Sequence, residues 1–286
     1  LMVAREAVQA LLLSPLLGVQ LQALLDAQDY RSFYNPATGL MSHGRDMLTG
    51  QFSPYDYGTF NTEARLLAML GVLDGAPQSV WDTMSREVLA YQPKTPGKAP
   101  ILVVAPWGGS IFEGTFADLF LNGPRFAPEA FDQNNRRLVQ IHQEKARDLN
   151  LRAWGWSPSL APKGSYQEFG VPEVGWRDRG RGYPVGAVSP YSSFLAMRYA
   201  PAEAQANLDR LRALNPKAYH PNYGYRDSVD PVTGAVPADI LSLDKGMELL
   251  GYDAAVPGNG VWKYFWKSLQ TQGVADQMLA LLAAEP

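Results

Sequence analysis

Six carboxylates stand inside segments crowded with aromatic residues and glycine. Asp56 and Glu63 belong to YDYGTFNTEAR (55–65), Glu113 to APWGGSIFEG (105–114), Glu168 to SYQEFG (165–170), and Asp227 and Asp230 to YGYRDSVD (223–230). Most have an ordinary structural explanation beside a chemical one. Glu63, two residues ahead of Arg65, suits the first turn of a helix, where the macrodipole favours an acid. Asp230 precedes Pro231 and reads as a turn residue, and Asp56 could simply tie a loop. Glu113 is harder to dismiss. A helix starting near Ser110 sets it in the first turn beside Trp107, among Ile111, Phe112 and Phe116. An acid in apolar company keeps its proton to higher pH while a hydrated carboxylate nearby stays ionised. Glycosidic cleavage needs such a pair: one group protonates the leaving oxygen, and the other acts as base or nucleophile.

The remaining residues exclude competing chemistries. His43, His142 and His220 lack the spacing of metal ligands, so structural or surface roles and no metal site are expected. The 286 residues include no cysteine, hence no disulfide and no thiolate site. Neither G-x-S-x-G nor a phosphate-cradling glycine loop occurs, and no cofactor is expected. A net charge of −3 argues against a nucleic-acid partner, because phosphate binding needs a concentrated basic surface. The one basic cluster, RDRGRG (177–182), reads as a solvated loop. No apolar run is long enough to span a bilayer. Seven Trp, 14 Tyr and 11 Phe accompany 26 Gly and 22 Pro. That mixture suits a cleft stacking on flat ligand faces, sugars among them, although a packed helical core with long loops has the same composition.

Helices must do most of the positioning. LLGVQLQALLDAQ (16–28) puts Val19, Leu21, Leu24 and Leu25 on one side, and NTEARLLAMLGVLDG (61–75) runs Leu66, Leu67, Leu70 and Leu73 to a terminal Gly. PAEAQANLDRLRALNP (201–216) opens with Pro and spaces Ala204, Leu208 and Leu211 along one face. DQNNRRLVQIHQEKARDLN (132–150) and VADQMLALLAA (274–284) add two more. The opening LMVAREAVQALLLSPLL (1–17) reads as an amphipathic helix, not a signal peptide. ILVV (101–104) is the best of few strand signals. Long loops fill 29–60, 92–110, 150–190, 215–243 and 251–262. No composition break marks a linker, so one domain over 1–286 is expected; QPKTPGKAP (92–100) reads as a surface loop because a short apolar strand follows it.

Taken in order, these segments resemble the glucoamylase-like family, which includes bacterial endo-β-1,2-glucanases and the cyclising domain of cyclic β-1,2-glucan synthases. The resemblance rests on YGTFNTEARLLAMLGVLDGAPQSVW (57–81), APWGGSIFE (105–113), WGWSPSLAPKGSYQEFGVPEVG (154–175), AVSPYSSFLAMRYAPAEAQANLDRLRAL (187–214), YGYRDSVDP (223–231) and SLDKGMELL (242–250). It runs from about residue 16 to 270. It implies an all-α fold, an (α/α)6 toroid with its cleft built by loops at one end, and the chain is expected to lack the first helix of that toroid. In the cyclising domains the segment like WGWSPS carries a glutamate where this chain has Pro158. That departure weighs against a retaining, transglycosylating mechanism and fits an inverting one.

The resemblance and the residues together lead to one expectation: an inverting glycoside hydrolase cleaving a β-glucan, β-1,2-linked and internal, with Glu113, Asp227 and Glu63 as catalytic carboxylates. Asp56, Arg65, Trp107, Trp154, Gln167, Tyr223 and Tyr225 are expected to bind substrate. The partner is then a polysaccharide or oligosaccharide, and the substrate class implies a periplasmic or extracellular location. The alternatives are a non-catalytic glycan-binding protein on the same fold, consistent with Pro158, and a hydrolase of another β-linked polysaccharide.

Overall fold

A computed structural model of the chain describes residues 1–10, 14–176 and 182–284; the RDRGRG cluster lies, but for Gly182, outside them. The described chain is mostly helical. Its longer helices are Met2–Ala10, Pro15–Asp26, Ala64–Leu73, Gln133–Asp148, Pro190–Ala196, Pro201–Leu214, Ser242–Ala255, Gly260–Thr271 and Ala275–Ala283. No helix among the described residues is long and apolar enough to cross a membrane.

Local chemistry sets the helix bounds. Ala64–Leu73 follows an Ala/Leu-rich run and ends at Asp74–Gly75, where Gly75 takes φ +88°, a left-handed geometry that suits glycine. Pro201–Leu214 starts on its proline and stops where Asn215 turns extended ahead of Pro216, as the residue before a proline prefers. Gln133–Asp148 is polar overall yet buries Leu138, Val139, Ile141, His142 and Ala146 along one face, the stripe that docks it.

The reading of the second helix needs correction. Ser14 caps Pro15–Asp26 by accepting from Leu17 N, but only Gly18 is buried, while Val19 and Leu24 are 67% and 52% exposed. The expected face is divided: Leu21 and Leu25 are half-buried, with Leu25 against the core, while Val19 and Leu24 face solvent. The preceding helix, Met2–Ala10, packs against both Pro15–Asp26 and Gly260–Thr271 and buries the adjacent Arg5 and Glu6 as an ion pair, with Lys267 3.2 Å from Glu6. Two charges of this amphipathic helix are therefore inside.

The loops are also more ordered than an all-α fold implies. Among the described residues, nine short strands form four small antiparallel sheets, one of them three-stranded. Apart from Ile101–Val104, the strand expected at ILVV, they lie in the segments read as loops or at their edges, where hairpin pairing gives the backbone groups partners that a loop leaves to water. Val88–Tyr91 pairs with Ile101–Val104, and QPKTPGKAP is the connection between them. Ser159–Leu160 pairs with Tyr166–Gln167 to make a hairpin that projects Glu168 from its second strand.

Two hydrophobic clusters fill the interior. One gathers Ile111, Leu138, Trp156, Val171, Val188 and Leu195; the other Met41, Met69, Trp81, Leu121, Leu269 and Met278. Phe120 packs on both. Residues 111–121 thus cross from the first cluster to the second, and Glu113 rides on that crossing.

Candidate active site

An open cleft of about 1000 Å³ is walled by residues from five separated places in the chain. Residues 54–59, with Thr62 and Glu63, supply one side; Trp107 and Glu113 come from the WGGSIFE segment, and His43, Glu168 and Tyr183 complete it. Four of the six carboxylates singled out in the sequence, Asp56, Glu63, Glu113 and Glu168, meet here with Trp107.

The WGGS turn is built for Glu113. Ser110 caps the helix Ile111–Phe116 in a reciprocal box: its Oγ accepts from Glu113 N at 3.2 Å, and the Glu113 carboxylate accepts from Ser110 N at 2.9 Å. Oε2 also accepts from Ser110 Oγ at 2.8 Å and Gly108 N at 3.1 Å, whereas Oε1 accepts only from Gly108 N at 2.9 Å. One oxygen is saturated by donors and the other keeps capacity for a proton. Both glycines are required. A Cβ on Gly108 would fall 1.9 Å from the Tyr183 ring, and Gly109, at φ +81°, would place one 2.3 Å from Val171 O.

His142 braces the same turn from behind. Its Nε2 lies 3.0 Å from Gly109 O and its Nδ1 accepts from Trp156 N at 3.2 Å. A carbonyl on one nitrogen and an N–H on the other require the neutral Nε2–H tautomer. Complete burial pushes its pKa down to about 3, in keeping with the structural role expected of it.

Burial first, and then the charge of Glu63, push Glu113 up to about 7 against the pull of the Ser110 and Gly108 donors. Glu63 is itself raised by burial. It sits at the N-cap of Ala64–Leu73 without making a capping bond, and its Oε2 is buried with no partner. The helix-start explanation therefore covers its position but not its side chain, which lines the cleft. Asp56 is half-buried and receives the Asn35 amide at 3.3 and 3.4 Å. Tyr57 stacks on His43 with centroids 4.1 Å apart, and burial with the Glu63 charge raises its phenol. Trp107 is 36% exposed and lies 5.7 Å from Trp176, ring to ring, leaving a face for a flat ligand.

Other expected site residues stand elsewhere. Arg65 is buried in an ion pair with Asp118 at 3.2 Å, stacked over Phe131, and lines a separate pocket with Phe60 and Asn61. Trp154 is a core side chain whose backbone exchanges hydrogen bonds with Asn207. Tyr225 packs edge-on against Tyr219 and Phe194. Tyr223 is 64% exposed on His220, and Gln167 is exposed and bonded to Ser165. Asp230 is the turn residue it resembles, accepting from Val232 N and Thr233 N at 2.8 Å.

Asp227 is not among the residues lining the cleft. It is buried behind the Ser159–Gln167 hairpin, where it accepts from Leu160 N, while Ser228 Oγ donates to Leu160 O. Asp244, in the first turn of Ser242–Ala255, is buried against it. Asp244 was unreadable beforehand, because SLDKGMELL places it where a helix ordinarily carries an acid. His43, Tyr57, Thr59, Thr62 and Tyr183 were missed as lining residues; only the density of aromatics in 55–60 hinted at them. No cluster of His, Cys, Asp and Glu suited to a metal ion occurs among the described residues.

The sequence profile of the Glycoamylase family, described as "Putative glucoamylase", matches residues 54–269, and the chain belongs to that family. It is 29% identical over 218 residues to the cyclic beta-(1,2)-glucan synthase NdvB of Rhizobium meliloti (strain 1021), covering 74% of this chain and 7% of that protein. Among solved structures, the endo-beta-1,2-glucanase of Chitinophaga pinensis, in complex with sophorotriose and glucose, superposes with a TM-score of 0.67 at 16% identity. That match covers 92% of this chain and 64% of the other. The endo-beta-1,2-glucanase of Talaromyces funiculosus with sophorose gives 0.62 at 14% identity, over 82% and 49%. These likenesses establish a shared, mostly helical fold.

Proposed function

We propose that the chain is a glycoside hydrolase acting on a β-glucan, that its cleft is the active site, and that the reaction inverts the anomeric centre. The observation that carries this reading is the meeting of Glu63 and Glu113 in one aromatic-walled cleft with unequal hydrogen bonding. The Glu63 charge raises Glu113, so Glu63 ionises while Glu113 still holds its proton. Glu113 Oε1 then gives that proton to the glycosidic oxygen as the C–O bond breaks. Glu63, assisted by Asp56, takes a proton from the water that attacks the anomeric carbon. Trp107 stacks on a sugar ring beside the break.

The β-1,2 linkage is proposed from the relatives, whose names carry it. The (α/α)6 toroid and a periplasmic or extracellular site of action fit the same family. The test incubates the protein with β-1,2-, β-1,3-, β-1,4- and β-1,6-glucans, separating products by chromatography and reading the new anomer by NMR. Inverted oligosaccharides from the β-1,2-glucan alone are expected; retained products would remove the mechanism, and cleavage of another linkage the substrate.

A second reading, a glycan-binding protein that does not cut, is favoured by one observation. Glu113 is occupied by its own helix start, and an acid committed to capping could be structural alone. Calorimetric binding of β-1,2-glucan without any product would select it.

A further inference from the structure

Asp227 and Asp244 are 1% and 3% exposed. Each has one carboxylate oxygen, Asp227 Oδ1 and Asp244 Oδ2, buried without a partner. The two side chains are within hydrogen-bonding reach of one another. Two ionised carboxylates in contact inside a protein repel, and two orphaned acceptors add an unmet desolvation cost. A single proton between them removes both problems, making one oxygen a donor and the other its acceptor.

We propose that Asp227 and Asp244 share one proton, and that this carboxyl pair clamps the Ser159–Gln167 hairpin and so holds Glu168 in the cleft wall. Asp227 spends its other oxygen on Leu160 N, and Ser228 returns a bond to Leu160 O, so the first hairpin strand is gripped on both sides of one residue. Just upstream, Tyr191 Oη donates to Pro158 O at 2.8 Å, and Phe112 N donates to Ser157 Oγ at 3.1 Å. The strand therefore runs from the Glu113 helix to the acid pair. Its partner strand ends at Gln167, one residue before Glu168.

The surrounding groups favour a retained proton. Burial is the main cause raising Asp244, to about 9, followed by the hydrogen bond and charge of Asp227. Glu248 adds to the rise, and Lys245 opposes it, although Lys245 Nζ is turned to Tyr225 O and Glu248. From the hairpin and from Pro190–Ala196, Tyr166 and Tyr191 face the pair, and burial with the charges of both acids keeps their phenols protonated. Tyr166 also feels Glu168, which ties the clamp to the cleft. Asp227 and Asp244 are thus positioning residues. Their bearing on turnover rests on the cleft being the active site; the clamp itself does not.

The test is amide hydrogen exchange at Leu160 between pH 6 and 10, expressed as a protection factor, for the intact chain and for Asp244→Asn and Asp244→Ala. In the unsubstituted chain, protection should hold to about pH 8 and then fall, approaching tenfold per pH unit as one proton is lost. Asp244→Asn supplies a donor that does not titrate, so its protection should stay level throughout. Asp244→Ala should be weakly protected at every pH. A level profile in the unsubstituted chain, an Asn variant that behaves like the Ala variant, or protection lost on adding EDTA would each overturn the shared proton. None of these readouts uses a glucan, so a protein silent on every glucan can still pass or fail this test.

Discussion

Glu113 answers to two demands, and its two oxygens divide them. Oε2 closes the helix start with three donors, while Oε1 has a single one and is the oxygen able to carry a proton into the cleft. Glu113→Gln keeps the size and the acceptor but removes the acid. We expect kcat to fall by roughly 10²–10⁴-fold with KM little changed, in steady-state assays on the substrate identified by the glucan panel. Because Glu113 is pushed up to about 7, activity should decline as pH rises through about 7, when the donor loses its proton. Glu63 provides the cross-check. Removing its charge in Glu63→Gln removes one cause of the rise, so the Glu113 carboxyl, followed by carbon NMR, should titrate at lower pH. An unmoved titration would separate the two acids. Part of this was legible in the sequence: a helix starting near Ser110 sets Glu113 in its first turn, and the apolar neighbours foretell a raised acid. The reach of Arg65 was not, because an arginine two residues from a cleft acid looks like a ligand group until its partner is known. Asp118 is 53 residues away in sequence and holds it.

At the scale of elements, the cleft depends on turns more than on helices. The WGGS turn is pressed against Val171 and Tyr183, and a side chain at Gly109 meets both a left-handed φ and a backbone oxygen at 2.3 Å. Gly109→Ala should cost about 1–3 kcal/mol in urea unfolding. It should also disturb the His142 bond to Gly109 O, visible as a changed imidazole resonance; an unaltered midpoint would mean the turn relaxes freely. Helices were readable here because each carries its own periodicity and stop signal. Ala64–Leu73, Gln133–Asp148 and Pro201–Leu214 fall within a few residues of their expected bounds. Among the two-to-four-residue strands, ILVV was readable and is the strand Ile101–Val104; the others were not, since segments so short hold no period and are fixed by partners outside them, as Tyr34 is by Met41 and Met41 by Tyr57. Trp154 and Tyr225 misled for a related reason. Aromatics in a glycine-rich segment suit a sugar cleft or a core equally, and only packing decides.

Over the whole molecule, buried acids set how stability responds to pH. A folded-state pKa above the unfolded one means the folded chain holds more protons, so stability falls as pH rises between the two values. Glu113 acts this way from 4.5 to about 7, and Asp244 from 3.8 to about 9. Glu63, Asp118 and Glu248 are raised as well and act in the same sense. His142 opposes them: lowered from 6.5 to about 3, it takes away stability as pH falls through that range. Between about pH 5 and 6.5 the single imidazole offsets only one of the carboxyls, and above 6.5 it offsets none. The thermal midpoint should therefore fall steadily from pH 5 to 9, most steeply near 7, each unmatched proton being worth about 1.4 kcal/mol per pH unit. Calorimetry at half-unit steps checks this, with Glu113→Gln expected to flatten the curve between pH 5 and 7 and Asp244→Asn between 7 and 9. A midpoint that rises with pH would mean these acids are ionised in the folded chain. Glu113 would then cap its helix as a carboxylate and have no proton to give, leaving the cleft able to bind a glucan without cutting it.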